Sequence, residues 1–161
     1  MKLMHTEYEV DSHGLQDDKP FLIQSSPKAF QLLSSNLYKN KIAAIIRELS
    51  CNAYDAQVEA GNATTPFDVH LPNNFDQYFS IRDYGTGLSH ESITSIFRTY
   101  FDSSKTSSND VIGCLGLGSK SPFSYIDNFT VISYFNGTKN TYSAYINNKG
   151  IPSIALLTSI E

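Results

Sequence analysis

The sequence predicts an α+β fold, a two-layer sandwich in which a mixed β-sheet is covered on one face by helices. Segments with helical periodicity dominate the first part of the chain, and three strand-like runs close it. Helices followed by a series of strands are typical of α+β domains. The chain has 161 residues with an apolar share of 40%. We therefore expect a single domain over residues 1–161, beginning with an arm over residues 1–26.

Three helices are predicted from their start and stop signals. Ser26 before Pro27 is typical of a capped helix start. A long helix follows the polar break at residues 38–41 and ends at Gly61-Asn62. Ser89 caps the third helix, with Glu91 in its first turn. The positions predicted to be buried are Ala29, Phe30, Leu32, Leu33 and Leu37, then Ile42, Ile46, Leu49, Ala53 and Ala56, then Ile93, Ile96, Phe97 and Tyr100.

Alternating or apolar runs bounded by turn residues predict the strands. These runs are residues 21–24, 67–71, 78–82, 129–135, 141–146 and 151–157. Residues 102–110 are almost wholly polar and predict a loop. The glycine-rich run over residues 113–120 predicts a turn into a short helix.

Composition excludes several classes of protein. The net charge is −4 and no basic run appears, so the electrostatic footprint of a nucleic-acid binder is missing. The histidines show no metal-ligand spacing, and Cys51 and Cys114 are expected to be reduced and packed as small hydrophobes. No apolar run is long enough for a transmembrane segment. We expect a soluble cytoplasmic protein, with peripheral membrane association left open.

The long helix carries three acceptor side chains on one face. Glu48, Asn52 and Asp55 recur at i, i+4 and i+7, which places them in one arc at about 100° per residue. The apolar stripe beside this arc places it at the edge of a core, where a carboxylate is costly unless it meets a cation, a donor or a held water. Asn52 offers an oxygen to Mg²⁺. Glu48, one turn away, is suited to polarise a water aimed at a γ-phosphate.

A second motif, Asp83-x-Gly85-x-Gly87, follows a predicted strand. Asp83 is suited to accept a hydrogen bond from an exocyclic amine such as adenine N6. Gly85 and Gly87 allow positive φ and let a flat ring lie against bare backbone.

The third motif is Gly113-x-x-Gly116-x-Gly118-x-Lys120. Gly116 and Gly118 free backbone N–H groups at a helix start for phosphate oxygens, and Lys105 or Lys120 supplies positive charge.

Each motif alone has a purely structural alternative: a solvated helix face, a tight turn or a glycine-rich hairpin. Their order and spacing together favour a nucleotide site. A Walker A loop is excluded because Ser119 separates Gly118 from Lys120, and no dinucleotide-binding fingerprint is present.

At these residues the sequence resembles the GHKL ATPases with the Bergerat fold, whose N, G1 and G2 boxes have the same order. The sequence also resembles the N-terminal domain of the rIIA proteins of phages, which act in rapid lysis, from about residue 27 to residue 146. The segments that carry this resemblance are residues 26–30, 37–41, 100–105 and 116–125.

The resemblance implies a role for each matching residue. Glu48 would be the general base, Asn52 the Mg²⁺ ligand and Asp83 the adenine reader, with Asp55 a supporting contact near the base. Residues 102–112 would form an ATP lid. Gly85 and Gly87 would wall the adenine pocket, and the phosphate loop would comprise Gly113, Gly116, Gly118 and Ser119.

The resemblance also implies ATP and Mg²⁺ as cofactors and slow hydrolysis coupled to lid closure and dimerisation. The implied partners are ATP or ADP and either a second copy or a phage or host protein. The alternative is a nucleotide-binding or protein-interaction module that does not hydrolyse ATP, although Glu48 favours hydrolysis. The family usually adds a strand with a Thr near the adenine-reading Asp, whereas only residues 158–161 follow Leu157. Either the chain is a piece of a longer protein or the pocket is completed differently.

Overall fold

The computed structural model describes residues 26–35, 38–99 and 117–161, and it confirms the α+β class. The predicted strand over residues 21–24 and the predicted loop over residues 102–110 lie outside these ranges. The helices are α1 (Pro27–Ser35), α2 (Lys41–Glu59), α3 (His90–Arg98) and a 3₁₀ helix (Gly118–Ser124). The strands are β1 (Asp68–His70), β2 (Ser80–Arg82), β3 (Asn128–Phe135), β4 (Thr138–Ile146) and β5 (Pro152–Ile160).

Each α-helix begins at a side-chain cap. Ser26, Asn40 and Ser89 accept a hydrogen bond from the backbone N–H three residues further on, at 3.2, 3.1 and 3.1 Å respectively. Such caps satisfy N–H groups that have no partner within the helix. The two starts predicted at Ser26 and Ser89 are therefore confirmed.

The described strands form two antiparallel sheets. β1 pairs with β2, with Val69 opposite Ile81. β3, β4 and β5 form a meander in chain order. Asn136 and Gly137, both at positive φ, turn β3 into β4, as a two-residue hairpin loop requires.

Helices cover one face of the three-stranded sheet. The 3₁₀ helix packs against α1, α2 and β3, and α3 packs against β5. The rings of Phe123 and Phe129 meet edge to face with centroids 4.9 Å apart. Ile93 and Tyr142 are fully buried, and the Tyr142 hydroxyl hydrogen-bonds to the His90 ring at 3.1 Å. The main core therefore lies between α3, the 3₁₀ helix and the sheet.

Part of the predicted buried face was wrong. Ile42 and Ile46 of α2 are 54% and 41% exposed, and Leu32 of α1 is 49% exposed. Burial on α2 lies mainly towards its C-terminal half, at Ala53, Asp55 and Gln57, with Ala44 the buried residue nearer its start. Periodicity shows which residues share a stripe, but the neighbouring elements decide which part of the stripe is covered.

Two further predictions concern the cysteines and membrane-spanning helices. Cys51 is half-buried, and Cys114 lies outside the described residues. In the described part of the chain, no helix has the length and apolarity to cross a bilayer.

Candidate functional site

The three acceptors of the arc on α2 differ in burial. The Glu48 side chain is 24% exposed, Asn52 is half-buried, and Asp55 is fully buried. Glu48 and Asn52 are therefore accessible to a ligand, whereas Asp55 lies inside the protein, as a supporting contact would.

The start of the 3₁₀ helix lies directly against this arc. A Cβ atom on Gly118 would lie 2.9 Å from Glu48 Oε2 and 3.4 Å from Asn52 Nδ2. No side chain larger than hydrogen fits there unless the Glu48 carboxylate moves. The first and third sequence motifs thus meet in space, at the accessible end of the arc.

The Glu48 carboxylate has a second neighbour. Arg47 Nη2 donates to Glu48 Oε1 at 2.8 Å, and the Arg47 side chain is 65% exposed. The hydrogen bond and charge of Glu48 raise the pKa of Arg47, and burial together with the charge of Glu48 raises the pKa of Tyr38. One carboxylate oxygen thus faces Gly118 and the other is held by a guanidinium at the surface, a pair of modest strength in water.

Asp83 follows β2 directly, as predicted. Its carboxylate Oδ1 accepts a hydrogen bond from the Gly85 N–H at 3.0 Å, and the residue is exposed. This bond fixes the direction of one carboxylate oxygen and leaves the other to accept from a ligand donor such as an amine.

The two glycines of this loop are needed for packing within the chain. A Cβ on Gly85 would lie 2.9 Å from both Cβ and O of Ala56 on α2, and a Cβ on Gly87 would lie 1.9 Å from the Tyr134 carbonyl oxygen on β3. Gly87 also has a φ of +71°. The prediction that these glycines leave room for a flat ring did not foresee these contacts, which dock the loop onto α2 and β3.

The helix α2 therefore organises all three motifs. Glu48, Asn52 and Ala56 form an i, i+4, i+8 row on one face. The first two meet Gly118 and the third meets Gly85. Asn52 and Ala56 are about 6 Å apart along the helix axis at 1.5 Å per residue, so the loop that carries Asp83 and the glycine of the third motif pack against the same face of α2, one turn apart.

Sequence reasoning missed two residues at this site. Arg47 was overlooked although it directly precedes Glu48. Gln57 lies two residues after Asp55, the last acceptor of the arc, and its buried side chain accepts a hydrogen bond from the Tyr84 N–H at 3.2 Å. A polar residue next to a predicted apolar stripe was the available signal for Gln57.

Other predicted site residues are less informative. Lys120 is 3% exposed and Ser119 is half-buried, both within the 3₁₀ helix. Lys105, Gly113, Gly116 and the predicted lid over residues 102–112 lie outside the described residues.

Two open clefts are lined by residues outside the three motifs. One, of about 360 Å³, is lined by Glu91, Thr94, Ser95 and Thr99 of α3 and its end. The other, of about 580 Å³, is lined by Lys39, Asn40, Lys41, Ile42 and Tyr125. Neither includes a motif residue, and neither combines an amine acceptor with a glycine-rich backbone, so the site is assigned by its chemistry and not by cleft volume.

The amide oxygen of Asn52 is a donor suited to a hard cation whose remaining ligands are water or phosphate oxygens. Mg²⁺ is usually held by one or two protein oxygens together with water and phosphate oxygens. Over residues 26–35, 38–99 and 117–161 no group of three or more His, Cys, Asp or Glu side chains forms a metal cage. A single amide oxygen such as that of Asn52 is the kind of protein ligand that Mg²⁺ takes when water and phosphate oxygens supply the rest.

Comparison with known proteins identifies the class. A model of the family described as "Histidine kinase-, DNA gyrase B-, and HSP90-like ATPase" matches residues 40–157, and the chain belongs to this family. The matched range contains all three motifs. A search of curated proteins gave no match. Membership of this family supports ATP binding in general terms.

Proposed function

We propose that the chain binds ATP together with Mg²⁺ and hydrolyses it slowly, at a site built on α2. In this proposal Asp83 reads the adenine amine and Asn52 contributes the metal ligand. Glu48 orients and deprotonates the attacking water, and Gly118 and Ser119 contact the phosphates. Mg²⁺ would neutralise phosphate charge and hold the triphosphate in one geometry.

The observation that carries the proposal is the meeting of the motifs along one face of α2. Gly118 touches Glu48 and Asn52, and Gly85 touches Ala56. Residues far apart in sequence thus assemble an amine acceptor, an amide oxygen, a carboxylate and a bare backbone segment. These are the groups that an adenine nucleotide with a divalent cation requires.

Glu48 is the group suited to act on water. Its carboxylate is partly exposed, it lies one helical turn from Asn52, and Oε2 faces the Gly118 backbone. A general base contributes about 10²–10⁴-fold to a rate. Because this carboxylate makes no contact that ground-state binding requires, its loss should affect the transition state alone.

The test is a paired measurement on the Glu48→Gln variant. ATP affinity should stay within about twofold of the parent, and steady-state phosphate release should fall by roughly 10²-fold or more. Glu59→Gln, which removes an exposed carboxylate from the end of the same helix, is the matched control and should change neither value. Equal phosphate release by Glu48→Gln and the parent would refute the assignment of Glu48.

A non-hydrolysing nucleotide-binding module is the second candidate, and the Arg47–Glu48 pair favours it. A carboxylate oxygen that accepts from a guanidinium at 2.8 Å is already engaged, so only the other oxygen of Glu48 is left to hold an attacking water. A parent chain that binds ATP with no phosphate release above background would select this candidate.

A biological role in a phage is proposed as well. The likeness of residues 27–146 to the phage rIIA proteins supports a role in lysis control or in protection against prophage exclusion, in the host cytoplasm. Coupling of hydrolysis to dimerisation, and to closure of residues 102–112 over the nucleotide, follows from the same likeness. Comparing sedimentation with and without a non-hydrolysable ATP analogue tests the dimer, because a nucleotide-dependent dimer sediments faster only with the analogue.

A further inference from the structure

The side chain of Gln57 connects α2 to the loop that carries Asp83. It is 1% exposed. Its Oε1 accepts from the Tyr84 N–H at 3.2 Å. Its Nε2 donates to the carbonyl oxygen of Thr65, and to that of Asn62 at 3.5 Å. Gln57 therefore joins three parts of the chain through one buried amide.

The orientation of this amide follows from its partners. A backbone N–H can only donate and a carbonyl oxygen can only accept, so the Gln57 oxygen must face Tyr84 and the nitrogen must face Thr65. Removing the side chain would leave these part-buried backbone groups without their present partner, which is costly. Among natural side chains, only an amide of this length offers both functions in this arrangement.

Tyr84 is the residue between Asp83 and Gly85, so its position sets theirs. The Tyr84 hydroxyl donates to Asp68 Oδ2 on β1 at 2.5 Å. The Gly85 N–H in turn fixes Asp83 Oδ1 at 3.0 Å, and Gly85 rests on Ala56, the neighbour of Gln57 in α2. The Asp83 carboxylate is thus positioned through a short chain of contacts that begins at Gln57.

We propose that Gln57 is a positioning residue for base recognition, which sets the selectivity for adenine by fixing the backbone that aims Asp83. This inference rests on the proposed function, because it assigns a determinant of base selectivity to the same site. Gln57 touches neither the base nor the phosphates. Loss of the Gln57 side chain should therefore weaken the discrimination between bases, and it should leave unchanged what the phosphates contribute to the binding free energy.

The experiment compares ATP with inosine triphosphate, in which a carbonyl oxygen replaces the amine, by calorimetric titration in Mg²⁺. The parent should prefer ATP. In Gln57→Met, which keeps the length and removes the three side-chain hydrogen bonds, the ratio of the two dissociation constants should fall by about tenfold, the scale of one hydrogen bond to a charged acceptor. Gln57→Asn, which keeps a buried amide with shorter reach, should lower the same ratio and is the variant to use if Gln57→Met does not fold.

Tyr142→Phe is the matched control for a general loss of stability. It deletes another buried hydrogen bond, to His90, on a different pair of elements, and it should leave the ATP preference unchanged. Amide hydrogen exchange gives a second readout, since exchange at Tyr84 should accelerate in Gln57→Met and stay at the parent rate in Tyr142→Phe.

The outcomes separate the two claims. A parent that binds ATP selectively, with a Gln57→Met variant of equal selectivity, would overturn the role of Gln57 and leave the proposed function standing. A lower selectivity without faster exchange at Tyr84 would also overturn it, because the effect would not pass through the loop backbone. A parent that binds neither nucleotide would overturn the proposed function and this inference with it.

Discussion

Substituting Gly87 by Ala tests how the Asp83 loop is docked onto β3. The residue has a φ of +71°, and an added Cβ would lie 1.9 Å from the carbonyl oxygen and 2.8 Å from the carbonyl carbon of Tyr134. Both atoms are backbone, so no side-chain rotation can relieve the contact. The variant must move either the loop or β3.

The magnitude follows from two separate costs. The left-handed conformation costs a residue with a Cβ about 1–2 kcal/mol, and the overpacking adds about 1–3 kcal/mol. The expected loss is therefore roughly 2–5 kcal/mol, a large share of the 5–15 kcal/mol that is typical of a domain.

Gly137→Ala is the matched control for the conformational cost. Gly137 has a φ of +82°, and an added Cβ would meet nothing within 4 Å. It should lose only the roughly 1–2 kcal/mol of the left-handed conformation. The difference between the two variants measures the packing of Gly87 against Tyr134.

Urea unfolding followed by circular dichroism gives both values. With a slope of about 1–3 kcal/mol per molar urea, the Gly87→Ala midpoint should lie roughly 1 M below that of Gly137→Ala. Equal midpoints for the two variants would refute the close contact between the Asp83 loop and β3.

Two further predictions concern the contact between Gly118 and Glu48 and the buried Tyr142 of the core. Gly118→Ala places a Cβ 2.9 Å from Glu48 Oε2, so the flexible Glu48 carboxylate should swing away. ATP turnover should then fall by about tenfold or more with little loss of stability, since small misplacements of catalytic groups are costly. Unchanged ATP turnover would contradict this geometry. Burial raises the pKa of Tyr142, so its stabilising contribution is fully present below the unfolded value of about 10 and is lost as the pH rises through the folded value. Tyr142→Phe should therefore flatten the fall of stability at high pH, as unfolding midpoints measured at several pH values would show.

Local signals in the sequence were sufficient to predict the helices and strands that the structure describes. Caps at Ser26 and Ser89 and the alternation in the strands depend on neighbours in the chain, and the described elements follow them closely. The acceptor arc on α2 was likewise visible, because helical periodicity alone places Glu48, Asn52 and Asp55 on one face.

Contacts between distant parts of the chain could not be predicted from local sequence patterns. Sequence could not show that Ile42 and Ile46 remain exposed, because exposure depends on where the neighbouring elements lie. Gly85 and Gly87 looked like residues that make room for a ligand, whereas their Cβ positions are taken by Ala56 and by the backbone of Tyr134. The partners of Gln57 are similarly fixed only by the tertiary fold.

Base selectivity tests the central claim most directly, because it depends on Asp83 lying at the end of an adenine site. Calorimetric titration of the parent with ATP and GTP, with and without Mg²⁺, should show tighter binding of ATP in the presence of Mg²⁺. Asp83→Asn should weaken ATP binding by about tenfold or more, since an ionised acceptor is replaced by a neutral one. Asp76→Asn, an exposed carboxylate on the β1–β2 connection, should bind as the parent does. Equal affinity of the parent for ATP and GTP, or full ATP affinity in Asp83→Asn, would contradict the account.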